Sequence, residues 1–284
     1  MTTEQMIFYS SGERWQVRRI VSDLIRERGL LLDFFLRHLR ARYRNAMMGF
    51  LWAIIHPLLL TLILLFVFVV VFQTNVRGNI RQSAMEILTK VIFWQYLASS
   101  VLSGMQSLME NQNLIKKTSF SREILPLAAS LNCLVNLGIG MMVLLVVHIL
   151  LIGTPPWSCL WIPLVFCGEF LLTIGAMLLV SALNVRYRDT GYLVEIGLTF
   201  GFYASPVLYP LEWVQNSLAR APMLLNLYYV NPVVGYLDMY QKLISGVALE
   251  FSNTMMWPVV CSIAVLLIGA VVFRKMSATF ADYL

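Results

Sequence analysis

The stretch FLWAIIHPLLLTLILLFVFVVVF, from Phe50 to Phe72, contains 23 residues without an Asp, Glu, Lys or Arg. At a rise of about 1.5 Å per residue, a helix of this length crosses the roughly 30 Å hydrocarbon core of a bilayer with some tilt. Lipid offers no hydrogen-bond partner to an open strand, so a run that is apolar on every face is helical. The stretch therefore predicts a transmembrane helix.

The rest of the chain has the same apolar character. Of its 284 residues, 59% are hydrophobic and 13% are charged, whereas soluble domains carry about 25% charged residues. This composition excludes a disordered chain, a collagen and a disulfide-stapled secreted domain. It predicts an all-α integral membrane protein with six transmembrane helices, at about residues 50–72, 91–109, 127–152, 160–183, 191–209 and 255–273.

The basic residues are unevenly distributed between the two sides of these spans. Sixteen Lys and Arg fall on the side of the termini and the even-numbered loops, and five fall on the other side. The positive-inside rule assigns the richer side to the cytoplasm. We therefore expect both termini to be cytoplasmic, and we interpret the net charge of +6 as a topology signal that gives no support to nucleic-acid binding.

Residues 1–48 precede the first span and form a separate region from the membrane domain at 49–284. Arginines alternate there with apolar residues at helical spacing, with a break near Gly29. This pattern predicts amphipathic helices in the membrane interface, where the arginines meet anionic lipid headgroups. A topological role alone explains the same arginines equally well. We expect no cleavable signal peptide, because the first apolar run begins only at Phe50.

The loop after the fifth predicted span, residues 210–254, is too apolar and aromatic for an ordinary solvated loop. Pro222 and Pro232 interrupt it. Prolines at these two positions in an apolar segment predict two short helices that re-enter the outer face of the membrane.

Motifs for catalysis are absent from the sequence. It contains no GxxxxGK[ST], and no lysine follows a glycine, so the chain has no P-loop for ATP. It also lacks GxSxG, HExxH and metal-like spacings of Cys and His. We therefore predict neither a catalytic residue nor a metal site, and we do not expect an enzyme.

Five short motifs lie at the ends of the predicted spans. They are RARYRNAMMGFLWAIIHP at 40–57, NQNLIKKTSFSREILP at 111–126, NVRYRD at 184–189, SPVLYP at 205–210 and NPVVG at 231–235. In this order and spacing they resemble the ABC-2 type permeases that export polysaccharides and polyol phosphates such as O-antigen, capsule and teichoic acid. The resemblance covers nearly the whole chain. It departs at Ser121, where the family usually has the proline of FPRE, and we expect this change to loosen the turn.

The resemblance implies the permease subunit of an ATP-driven exporter in the bacterial plasma (inner) membrane. Two copies of the chain would form a homodimer and bind two copies of an ABC ATP-binding subunit, which would hold ATP and Mg, while this chain binds no cofactor. The substrate would be a lipid-linked glycan. The family also implies an N-terminal interfacial helix, a coupling helix in the first cytoplasmic loop and gate helices between the last two spans.

Charged residues in the first cytoplasmic loop are candidates for coupling to the ATPase, because a short rigid element with charges can dock in a cleft. A solvated loop that only enforces topology is the alternative. A second cytoplasmic cluster lies at 186–189, where pairing of Arg188 with Asp189 or Glu195 is the alternative. The coupling candidates are Asn113, Lys116, Lys117, Arg122 and Glu123, and the second cluster is Arg186, Arg188 and Asp189.

Aromatic rings are candidates for the substrate path, because they stack on sugar faces without demanding one sugar sequence. The alternative is the interfacial aromatic belt of membrane proteins. Arginines before the first span could attract the pyrophosphate of the lipid carrier, and Glu169 could be structural or pore-lining. The aromatic candidates are Trp94, Tyr96, Tyr203, Tyr209, Trp213, Tyr228 and Tyr229, and the entrance candidates are Arg40, Arg42 and Arg44.

Three other classes compete with this interpretation. An ABC-2 permease for drugs or small lipids is the nearest alternative. A secondary transporter usually places several ionisable residues mid-membrane and shows repeat symmetry, and a membrane enzyme needs convergent acids, histidines or metal ligands. The sequence shows neither pattern.

Overall fold

The structure is a computed structural model that describes residues 26–44, 49–68, 80–118, 120–249 and 253–283. Within these ranges the chain is helical and contains no strand, which confirms the all-α class. The interfacial segment was predicted at 1–48, and its residues 1–25 and 45–48 lie outside the described residues, as do residues 69–72 of the first predicted span. The helices are α1 (Arg28–Arg44), α2 (Gly49–Phe66), α3 (Ile80–Glu110), α4 (Gln112–Lys117), α5 (Ile124–Leu151), α6 (Ile162–Arg186), α7 (Thr190–Ala204), α8 (Leu211–Ser217), α9 (Pro222–Val230), α10 (Pro232–Ile244), α11 (Asn253–Ser277) and α12 (Phe280–Tyr283), with a 3₁₀ helix at Trp157–Trp161.

Three stretches of the described chain are long and apolar enough to cross a membrane. They are Ile124–Leu151, Trp157–Arg186 and Met255–Ser277, and Leu51–Phe66 is a shorter apolar helix. These stretches contain or nearly coincide with the predicted spans at 127–152, 160–183 and 255–273. A helical membrane protein is thus confirmed, while the count of six spans stays a prediction.

Two helices have other bounds than the spans predicted on them. α3 has 31 residues and begins at Ile80, well before the predicted boundary at 91. α7 has only 15 residues, or about 22 Å at 1.5 Å per residue. It stops at Ala204, short of the predicted boundary at 209, because the next residue, Ser205, precedes a proline and is extended.

α6 packs along α11 more extensively than any other pair of described helices. Two glycines allow this approach. A Cβ atom added to Gly269 would overlap the carbonyl oxygen of Gly175, and one added to Gly175 would lie 2.5 Å from the Cα atom of Leu266. Small residues of this kind let transmembrane helices pack backbone to backbone.

α3 lies at the centre of the main core, where it packs against α5, α6 and α10. The rings of Phe93 and Tyr240 stack there with centroids 3.6 Å apart. A second core joins α1, the ends of α3, α6 and α11, the start of α5, and α12. We call it the α4 cluster, because it also receives α4; its buried members include Phe34, Leu108, Ile115, Ile124, Leu125, Phe273 and Phe280.

The 205–249 segment contains three short helices, α8 to α10, where two were predicted. Pro222 and Pro232 each occupy the first turn of a helix, where proline's missing N–H is no loss. Asn231 caps α10, because its side-chain oxygen accepts the Val233 N–H at 3.0 Å. The prolines therefore start helices as well as separating them, and the re-entrant path stays a prediction.

Candidate coupling site and translocation groove

The 111–123 segment, described apart from Ser119, connects α3 to α5 through the short helix α4. Ile115 is 3% exposed and anchors α4 in the α4 cluster. Asn113, Lys116 and Lys117 are exposed. α4 ends because Thr118 takes an extended conformation. The segment therefore presents two lysines and an amide at the surface, while the core holds its apolar side.

Arg122 and Glu123 make contacts within the chain. Arg274, near the end of α11, donates through Nε to the Glu123 carboxylate at 3.3 Å. The Arg122 guanidinium lies 5.9 Å from the centre of the Phe280 ring in α12, a cation–π distance. The structure thus separates the five coupling candidates into three exposed residues and two that fasten the segment to the C-terminal helices.

Ser121 and Phe120 connect the segment to α1. The Ser121 backbone N–H donates to the Glu27 carboxylate at 3.0 Å, and the Phe120 and Phe34 rings stack with centroids 6.2 Å apart. A proline at 121 could not make this hydrogen bond, because it has no N–H. Serine at 121 therefore allows a hydrogen bond that proline would not, and the loosening of the turn stays a prediction.

The three residues of the second cytoplasmic cluster lie on the surface. Arg186, Arg188 and Asp189 are exposed, and the Arg186 guanidinium lies 5.5 Å from the Tyr187 ring centre and 5.9 Å from that of Tyr283. In the part of the chain that the structure describes, no ion pair joins Arg188 to Asp189 or Glu195.

The entrance candidates all belong to α1. Arg40 is exposed, and the side chains of Arg42 and Arg44 lie outside the described part. The structure therefore places one of the three entrance arginines at the surface and leaves the entrance itself a prediction.

An open groove of about 540 Å³ runs between α2, α3, α5 and α7. Two predicted aromatics, Trp94 and Tyr96, form part of its wall and are themselves buried. Polar and aromatic groups therefore share one surface. Its other lining residues include Trp52, His56, Gln95, Ser99, Asn136 and Phe202.

The most exposed of the tryptophan, tyrosine and phenylalanine rings in this groove was not among the aromatic residues predicted from the sequence. Trp52 is 56% exposed, and one turn later His56 and Gln95 share a hydrogen bond of 2.9 Å between Nδ1 and Nε2. Trp52 and His56 are the only aromatic side chains between Leu51 and Leu65. This isolation within an apolar helix was the signal that could have identified them.

The remaining aromatic candidates belong to α7 and the 205–249 segment. Tyr203 is exposed on α7, and its carbonyl accepts the Tyr209 hydroxyl at 3.0 Å. Tyr229 accepts a hydrogen bond from Gln215 at 2.7 Å, and its ring meets that of Tyr228 edge to face. Trp213 lies near Phe68, two residues beyond the end of α2. These rings stabilise the segment and do not line the groove.

Glu169 on α6 is 1% exposed and accepts a hydrogen bond of 2.6 Å from the Tyr240 hydroxyl. The neighbouring Tyr236 shares a hydrogen bond of 2.6 Å with Ser262 on α11. Glu169 therefore has a partner on α10. The sequence had suggested no partner for it on the neighbouring span. Its geometry is that of a buried contact between α6 and α10.

A family model described as "ABC-2 type transporter" matches residues 33–244. This range contains most of α1 and everything from α2 to α10, and so includes the 111–123 segment, the groove and the three short helices. The chain belongs to the ABC-2 type transporter family. α11 and α12, which hold Arg274 and Phe280 against the 111–123 segment, follow the matched range.

Curated relatives of this ABC-2 permease match along nearly their whole length. An O-antigen export system permease protein RfbA from Myxococcus xanthus is 29% identical over 93% of this chain and 98% of its own length. Two proteins of the same name from Klebsiella pneumoniae are 27% and 26% identical, each over 90% of this chain and 96% of its own.

Membership assigns the chain to the transmembrane subunits of ABC transporters and implies an ATP-binding partner. The apolar helices agree with this assignment.

Proposed function

We propose that this ABC-2 permease exports a lipid-linked polysaccharide, of O-antigen, capsule or teichoic-acid type, from the cytoplasm across the bacterial plasma membrane. The observation that supports it most directly is the groove, because an accessible tryptophan lies there beside amide, hydroxyl and imidazole groups. The relatives, which match over nearly their whole length and are named as O-antigen export permeases, support the same substrate class.

The chemistry of the groove suits a glycan better than an apolar drug. Sugar rings present C–H groups that pack on an aromatic face, and hydroxyls that need hydrogen-bond partners. Trp52 supplies the first kind of contact, and Gln95 and Asn136 supply the second. A drug or small-lipid exporter needs fewer polar groups in its path, so this alternative has less support.

The proposal includes a homodimer with six spans per chain, cytoplasmic termini and outer gate helices from the 205–249 segment. The groove of one chain is open, and α7 beside it exposes Tyr192, Ile196 and Phe200. A second copy that covers this face would close the path. Two ATP-binding subunits would dock on Asn113, Lys116 and Lys117, and arginines near Arg40 would attract the carrier's pyrophosphate.

Replacing Trp52 with alanine tests the substrate path. Loss of one stacking ring should lower export about threefold to tenfold, and Trp52→Phe should keep most of it. Export is measured as polysaccharide at the cell surface per permease in the membrane. The matched control is Trp157→Ala, since Trp157 is 87% exposed outside the groove and should be neutral. Equal effects of the two alanine variants would remove Trp52 from the path.

A further inference from the structure

We propose that Glu27 is a positioning residue that locks the 111–123 segment to α1, so that the two respond to the ATP-binding partner as one body. This inference rests on the proposed docking role of α4. It assigns Glu27 and the backbone of Ser121 to the transmission of that partner's motion.

The contact joins two positions 94 residues apart in sequence. Glu27 stands at the beginning of α1, where its carbonyl accepts the Leu31 N–H at 3.1 Å. Its half-buried carboxylate accepts the Ser121 N–H at 3.0 Å. A hydrogen bond to a charged acceptor is stronger and more directional than one between neutral groups.

The other contacts that the described residues show at this place are apolar, and they include the packing of α1 on the start of α5. Phe34 and Phe120 stack through apolar faces, and apolar contact is non-directional, so the rings could slide and remain packed. On the other side, Glu123 holds Arg274 of α11. The Glu27 bond therefore completes a three-part unit in which α1, the 111–123 segment and the end of α11 keep fixed positions.

This hydrogen bond needs the backbone N–H of Ser121 but not its side chain. Alanine at 121 preserves the donor, whereas proline removes it. Likewise, glutamine at 27 preserves an acceptor oxygen and alanine removes it. Each partner therefore offers one variant that keeps the bond and one that breaks it.

The bond itself is tested on the purified permease alone. Amide hydrogen exchange at Ser121 should become about tenfold faster in Glu27→Ala, because the donor loses a charged acceptor, and should change less in Glu27→Gln. An unchanged rate in Glu27→Ala would overturn the contact. This measurement needs no ATP-binding subunit, so it stands apart from the proposed function.

The positioning role is tested on the complex with the ATP-binding subunit. Glu27→Ala and Ser121→Pro should each lower ATP-driven export about threefold or more with the amount of bound subunit unchanged, as expected when one charged hydrogen bond is lost. Glu27→Gln and Ser121→Ala should export almost as the parent does, and the double variant Glu27→Ala/Ser121→Pro should be no worse than either single one.

Full export by Glu27→Ala, or an additive loss in the double variant, would overturn the inference. If Ser121→Pro does not accumulate in the membrane, the comparison of Glu27→Ala with Glu27→Gln decides. Equal losses in these two variants would also contradict it.

Discussion

Reversing the charge of α4 with Lys116→Glu and Lys117→Glu should release the ATP-binding partner from the purified complex. We expect at least about a tenfold fall in the amount that co-purifies, because like charges facing each other across an interface cost several kcal/mol and each 1.4 kcal/mol is a factor of ten. Both lysines are exposed, and Ile115 holds the helix in place beneath them. The permease itself should therefore fold normally.

The matched control for this experiment is Lys275→Glu. Lys275 is also exposed and follows Arg274, so it lies near the same end of the molecule but outside α4. It should retain the partner and its ATP turnover. If the α4 double variant binds the partner and turns over ATP as the parent does, docking at these lysines is excluded.

Valine at Gly175 or Gly269 should prevent the permease from accumulating as a folded protein. The new side chain would meet backbone atoms of the facing helix, which cannot rotate away, so α6 and α11 must separate along their contact. Ordinary overpacking costs about 1–3 kcal/mol, and a clash with backbone costs more. The measurement is the monodisperse fraction after extraction in mild detergent, and its loss on heating.

Gly138→Val is the control, because a Cβ atom at Gly138 meets nothing within 4 Å. It places the same side chain within the apolar helix α5, so any effect of helix propensity is matched. Gly138→Val should give the parent's yield. If Gly175→Val and Gly269→Val also gave the parent's yield, α6 and α11 would not pack this closely.

The apolar helices were the most predictable part of the fold. A transmembrane helix must satisfy its own backbone and face lipid, so its composition alone marks its position. The sequence also contained a local signal for the end of α7, because Ser205 precedes Pro206. A span boundary placed by hydropathy alone does not take account of such a break. α3 was harder, since its first turns carry Arg81, Glu86 and Lys90 and look like a loop.

The partners of buried and half-buried carboxylates could not be predicted. Tyr240 lies 71 residues from Glu169, and Ser121 lies 94 residues from Glu27. In both pairs one member, Tyr240 or Ser121, belongs to a segment between predicted spans. The sequence of such a segment does not indicate how deep in the membrane it lies. Only the packing of α10 on α6, and of α1 on the 111–123 segment, brings these groups together.

The coupling candidates show the same limit at short range. Lys116, Lys117 and Arg122 have the same charge within one motif, yet the lysines are exposed while Arg122 lies against Phe280. The extended residue Thr118 redirects the chain between them. Composition predicted that the loop is basic, and the turn decided which of its charges face outward.

The most direct test of ATP-driven export is reconstitution of the permease and its ATP-binding partner in lipid vesicles that contain a lipid-linked glycan. ATP should move the glycan to the opposite leaflet, where a membrane-impermeant glycan-binding protein detects it. Omission of either subunit should abolish this movement. The account would be contradicted if the complete complex hydrolysed ATP but left the glycan in its original leaflet.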